Sequence, residues 1–179
     1  MYFCEIDFRY HWVSLALNAL RSGFTDIQKK ADTEPWFDGL CQHEYAESIL
    51  GIAFIIAQTY ILGTVGDVNR IRKSSGKSQK GKIDYYSDVP KSLCNGVSQI
   101  LLINSIADYH KHHDEWDGWG KGRSKPTTQI LAGIGIVEST EFPCYVAATK
   151  LWDENEIENL GNLLTLIREW REYILSKYK

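Results

Sequence analysis

Strand signals are scarce in this chain, and so are the residues that staple or punctuate β-rich and disulfide-bonded folds. It has four prolines, one methionine and four cysteines in 179 residues. The cysteines (Cys4, Cys41, Cys94 and Cys144) are widely scattered and form no C-x-x-C, so zinc-ribbon and thioredoxin-like readings fail. Charge of one sign is also missing. The formal net charge is −3, which argues against a generally basic nucleic-acid binder while leaving room for a local basic patch. The opening stretch, MYFCEIDFRYHW, has no basic region leading into an apolar core and does not read as a signal peptide. Reduced thiols and a cytoplasmic location are therefore expected. The most apolar uncharged run is Ile49–Val65, seventeen residues diluted by Gln58, Thr59 and glycines. That is short for a membrane span, so a buried central helix and no membrane partner are expected.

What is present is helical periodicity over an ordinary globular composition, 44% hydrophobic and 24% charged. The length suits one domain with a substantial core. Asp7 caps a predicted helix that reaches Ser22 before Gly23, with Phe8, Trp12, Leu15, Ala16, Ala19 and Leu20 as its apolar stripe. A second helix is predicted from about Phe37 to Arg72, with interruptions near Gly63 and Gly66. Its core-facing seam reads His43, Glu47, Leu50, Phe54, Ala57, Ile61, Val65 and Val68. The Gly-, Ser- and Lys-rich run RKSSGKSQKGKIDYY then reads as a loop. Ser87 or Asp88 before Pro90 opens a third helix that stops at Gly118 and Gly120. Pro126 opens a fourth through about Val137, and Pro143 a short one. Asp153 with Glu156 starts the last, carrying Ile157, Leu160, Leu164, Ile167, Trp170, Ile174 and Tyr178. The expectation is an all-α, single-domain bundle of five or six helices built on a long antiparallel hairpin of helices two and three.

The chemistry-bearing residues gather at one end of that hairpin. On the third helix Leu93, Val97, Leu101, Asn104, Asp108, Lys111 and Glu115 share a stripe, so an apolar seam turns polar without changing direction. The second helix begins polar, at His43 and Glu47, and then becomes apolar. An antiparallel hairpin brings the two polar ends together. Polar groups on a core-facing seam are costly unless paired, so they must pair with one another or serve a site. Glu47 and Lys111 could form a simple ion pair. A site could instead use His110 or His112 to carry protons and Lys111 to meet a phosphate, with Asn104 and Asp108 orienting them. His43, Glu47 and Glu115 would then contribute to binding. The basic segments Arg70–Lys82, including Arg72 and Lys73, and Lys121–Lys125 flank the hairpin. A third option uses the E-x-x-E pair Glu44 and Glu47 with the D-x-x-D pair Asp114 and Asp117 to hold magnesium; otherwise no cofactor is expected.

GKSQKGKI, Gly76–Ile83, matches G-x-x-x-x-G-K, but Ile83 stands where a phosphate loop needs Ser or Thr, and a helix precedes it rather than a strand. The stretch NSIADYHKHHDEW resembles part of the HEPN-like group of bacterial all-α proteins. That resemblance implies a helical, usually dimeric domain, often a ribonuclease, with an active helix bearing Arg, a polar residue and, further on, His. Here Asn104 and His110 match the polar residue and the histidine, and the arginine is absent. EYAE, Glu44–Glu47, followed by DEWD, Asp114–Asp117, is similar to the all-α nucleotide pyrophosphohydrolases of the MazG and dimeric dUTPase type, which implies magnesium and a nucleotide substrate. The expected partners are thus a nucleic acid or nucleotide and a second copy of the chain. The reading of different class is a non-catalytic helical interaction module, in which the polar seam only fixes helix pairing.

Overall fold

A computed structural model describes residues 7–89 and 92–178. These form seven α-helices and no strand: α1 Phe8–Thr33, α2 Gly39–Ser74, α3 Lys82–Tyr86, α4 Gln99–His112, α5 Lys125–Gly133, α6 Pro143–Leu151 and α7 Gly161–Tyr178. The bundle is all-α as expected, with one more helix than the upper count.

α2 is its axis. Leu50, Phe54, Ala57, Ile61, Val65 and Val68 are all buried, so the predicted seam faces the core. α1, α4, α6 and α7 pack around it. α1 runs antiparallel to α2: a Cβ on Gly23 would lie 2.7 Å from Ile49 Cδ1, and one on Gly63 would lie 2.6 Å from Arg9 Nε. α4 is also antiparallel, since Gln58 meets Asn104 while Gly51, a turn or two earlier, meets His110 further along. By length and composition α2 could cross a membrane, but here its apolar side chains form the centre of the bundle.

Several boundaries depart from the sequence reading, each for a local reason. Gly23, Gly63 and Gly66 neither stop nor interrupt a helix; α1 continues to Thr33 and α2 to Ser74. The first two glycines serve close approach between helices instead. The stripe of α1 is also displaced. Val13, Leu17, Phe24 and Ile27 are buried, whereas Phe8, Trp12 and Leu15 face outward. The lysine-rich run is pinned rather than loose: Asn69 Nδ2 donates to Lys80 O and its Oδ1 accepts from Lys80 N, while Tyr85 and Tyr86 of α3 enter the core.

α4 begins at Gln99, capped by Ser98 Oγ accepting from Leu101 N, not at Ser87 or Asp88. Pro90 lies outside the described residues. Leu93 and Val97 therefore precede the helix, in a turn where Leu93 N bonds Val97 O. Asp88 does other work: it accepts from Tyr173, Lys177 and Tyr178 and ties the α3–α4 connection to α7. α5 ends at Gly133, and Gly135, at φ 86°, takes the left-handed turn that follows. Asp153 caps a single 3₁₀ turn, Glu154–Glu156, rather than α7.

Candidate functional site

The polar stripe on α4 closes onto α2 through a residue with no role in the sequence reading. Gln58 Nε2 donates to Asn104 Oδ1 at 3.0 Å and to Asp108 Oδ1 at 2.8 Å. Lys111 Nζ donates to Gln58 Oε1 at 2.7 Å and to Asp108 Oδ1 at 3.0 Å, and Asn104 Nδ2 donates to Asp108 Oδ2 at 3.2 Å. Gln58 and Asn104 are buried, while Asp108 and Lys111 reach toward solvent. Three of the predicted catalytic residues are thus brought together, but as a closed hydrogen-bonded ring in which Lys111 already has its anion.

Glu47 does not meet Lys111. Its carboxylate sits over the first turn of α6, accepting from Cys144 N and Tyr145 N at 2.8 Å each. Pro143 opens that helix, and Glu47 supplies the N-terminal acceptors that Phe142, at the cap position, does not. Burial pushes the Glu47 carboxyl above its ordinary range despite these two N–H groups. His43 is held by Gly39 O at 2.7 Å and packs its ring on Phe142 and Tyr145. Helix α6, absent from the two-helix picture, therefore takes both residues offered by the start of α2.

The three histidines part company. His110 lies across Gly51, where a Cβ would strike the ring at Nδ1, Cγ and Cε1, and its Nδ1 is 3.9 Å from the buried Cys144 Sγ. Burial holds its pKa below the usual imidazole value, and the nearby His113 pushes the same way. His112 reaches Glu115 at 3.4 Å, on the solvent side. His113 stacks on Tyr109 with centroids 4.7 Å apart and contacts Asp114 at 3.1 Å. Burial and Glu47 push Tyr109 up to about 12. The Cys144 thiol is likewise raised by burial first and then by Glu47, which opposes its use as a nucleophile.

Arg72 Nε donates to Ser78 O and its guanidinium covers Tyr178, so it holds the connection after α2; Lys73 is exposed. Glu44, Glu47, Asp114 and Asp117 do not converge. Among the described residues no three His, Cys, Asp or Glu side chains are grouped to hold a metal ion, and both oxygens of Glu47 are engaged by α6. Glu115 turns to His112 rather than to the seam.

A second buried network lies beyond the reach of the sequence reading. Asp67 accepts from Arg9, Arg70 and Arg171, while Arg171 also meets Asp7 at 3.1 Å and Thr64 Oγ1 at 3.1 Å. Burial works to raise the Asp67 pKa, but the Arg9 and Arg171 guanidiniums outweigh it and hold the carboxyl below its usual range. This network ties α1, α2 and α7 together. Compared with known protein families, curated proteins and solved structures, the chain shows no match.

Proposed function

We propose that this protein is a non-catalytic helical interaction module that pairs with a second copy of itself through the outer face of α1 and α2. One observation carries the reading: Phe8, Trp12 and Leu15, one turn apart on α1, are 71%, 67% and 49% exposed. Leu62 and Ile52 on the adjoining α2 are exposed as well. Two aromatic side chains of roughly 150–250 Å² each, two-thirds open, already present about 200–300 Å². The aliphatic neighbours extend this toward the several hundred Å² that mark an interaction surface on a monomer.

The stripe grades from large to small along the helix, through Phe8, Trp12 and Leu15 to Ala19 and Ser22, the last two also exposed. Antiparallel pairing about Leu15 sets Trp12 against Ala19 and Phe8 against Ser22, and a two-fold axis repeats both contacts. Ser22 Oγ already donates to Ala19 O, so its hydroxyl can be covered without losing a partner. The saturated ring around Asp108 supports the same reading, because its groups must break bonds before acting on a substrate. Sedimentation of the wild type and of Trp12→Glu tests it. A dimer that becomes a monomer of unchanged helicity is expected, and a wild type that is monomeric throughout the micromolar range overturns it.

A second reading, binding of single-stranded nucleic acid, is favoured by the far end of α4. Tyr109, Trp116 and Trp119 form an edge-to-face cluster there, followed by the exposed Lys121, Arg123 and Lys125. Aromatic faces beside cations suit stacked bases and backbone phosphates. Salt-sensitive RNA binding that is lost when the three cations become Gln supports it; equal binding by that variant removes it.

A further inference from the structure

We propose that the tip where α2 hands over to α3 is a docking surface for an anionic lipid bilayer. Arg70–Lys82 holds six of the chain's 20 lysines and arginines and none of its 23 acids. The remaining residues then carry 14 cations against 23 acids, a formal charge of −9. So uneven a distribution turns the tip toward a negative surface and the rest of the molecule away from it. The acids nearest in sequence are already engaged. Asp67 accepts from Arg9, Arg70 and Arg171, Asp84 from Gly81 N at 3.0 Å, and Asp88 from Lys177, Tyr173 and Tyr178. The tip is also held in shape. Arg72 Nε donates to Ser78 O at 2.8 Å, Lys77 N donates to Arg72 O at 2.8 Å, and Asn69 holds both backbone groups of Lys80. The backbone that carries the lysines is thus ordered before any partner arrives, which lowers the cost of docking.

The composition of the tip selects lipid over a nucleic acid. Its two arginines, the residues suited to bidentate phosphate contacts, are spent: Arg70 on Asp67, and Arg72 on Ser78 O and the Tyr178 ring. Lys73, Lys77 and Lys82 are exposed, and their side chains make no hydrogen bond or ion pair among the described residues. Compact ammonium charges of this kind suit the diffuse potential of an anionic leaflet. A second signal lies beside them. Ile83 follows Lys82 at 52% exposed and shares the wall of one cleft with Lys80 and Tyr178. An apolar side chain held among lysines inserts between headgroups and adds to the electrostatic attraction. Among the described residues the aromatic rings of the tip are taken, so no stacking platform for bases is offered. Tyr85 and Tyr86 are buried, and Tyr178 is covered by Arg72 and Lys80. The contact is peripheral, with α2 still at the centre of the bundle.

Flotation of the full chain with lipid vesicles is the test. The wild type should bind phosphatidylcholine vesicles containing about 30% phosphatidylserine, detach as salt rises, and bind vesicles of phosphatidylcholine alone far more weakly. Lys73→Gln/Lys77→Gln/Lys82→Gln, which touches no hydrogen bond of the fold, should weaken binding roughly hundred-fold, at about five-fold per lysine. Ile83→Ser should weaken it roughly three-fold with the charge unchanged. Lys121→Gln/Arg123→Gln/Lys125→Gln, the same loss of charge at the far end of α4, should float as the wild type does. A wild type that stays off the anionic vesicles, equal binding to both kinds of vesicle, or a tip variant that floats like the wild type would each overturn the assignment. Equal loss in the two triple variants would also overturn it, by reducing the effect to net charge. So would a single-stranded RNA that displaces the chain from vesicles and is no longer bound by the tip variant, which would assign the tip to nucleic acid.

Discussion

Three glycines of α2 allow a sharp test of how tightly α4 is seated. Gly51, Gly63 and Gly66 all lie inside one continuous helix, where Gly→Ala alone is worth about 1 kcal/mol of stabilisation. At Gly66 an added Cβ meets nothing within 4 Å, so Gly66→Ala should realise that gain. At Gly51 the Cβ would fall on three atoms of the His110 ring, more than ~1 Å inside the ~3.5 Å separation of an ordinary contact. Cys144 Sγ, 3.9 Å from the same Nδ1, limits where the ring can move. Overpacking of this kind costs about 1–3 kcal/mol. Gly51→Ala should therefore be less stable than Gly66→Ala by about 1–3 kcal/mol, even though the backbone gain is the same.

Urea unfolding of both variants, monitored by far-ultraviolet circular dichroism, measures the difference directly. The cause is isolated by repeating both in a His110→Ala background. There the two alanine variants should become alike, giving a coupling above about 1 kcal/mol between positions 51 and 110. If Gly51→Ala matches Gly66→Ala with His110 in place, the ring is not seated on α2, and the account of that packing is wrong.

Asp67→Ala removes the shared anion of three arginines and should destabilise the fold by about 3–5 kcal/mol, the range for breaking a buried pair, as read by thermal unfolding. Glu47→Ala strips the two N–H groups at the start of α6 of their acceptors and should cost about 1–2 kcal/mol, with faster amide exchange at Cys144 and Tyr145. Acid should act in two stages. The His110 pKa is depressed, so the stability it contributes is complete above its unfolded value of about 6.5 and is lost as pH falls through the folded value. Asp67 and Asp88 are also held low, so their contribution is present above about 3.9 and is lost below it, at the folded values. Glu47 is raised and works in the opposite sense, its contribution falling as pH rises through the folded value. Urea midpoints across pH, with and without His110→Ala, separate the first stage from the second.

The element types were legible in the sequence because they rest on local causes. Helical spacing of apolar residues placed the core of α2 correctly, and Pro126 and Pro143 marked two helix starts that the structure keeps. The errors arise where a local signal has two physical explanations. α1 carries two apolar arcs, and the heavier one, Phe8, Trp12 and Leu15, is the one left outside. Periodicity reveals an arc but not what stands opposite it. Gly23 and Gly63 look like breakers, yet both lie where another side chain needs their missing Cβ. Asp88 looks like a cap because it precedes a proline, while its real partners, Tyr173 and Tyr178, come some ninety residues later.

The polar seam was half legible, and the missing half changes its meaning. Polar side chains on a buried stripe do need partners, and Asn104, Asp108 and Lys111 have them. The partner from α2 is Gln58, an amide deep in an apolar run, and the partners of Glu47 are backbone N–H groups of a helix a hundred residues away. Matching side chain to side chain cannot find a backbone partner. With Gln58 included, every member of the ring is bonded to at least two others. Sliding α4 by one turn along α2 would leave the Gln58 amide and Asn104 unpaired in the core, at about 1–3 kcal/mol each. The ring thus sets the register of the two helices.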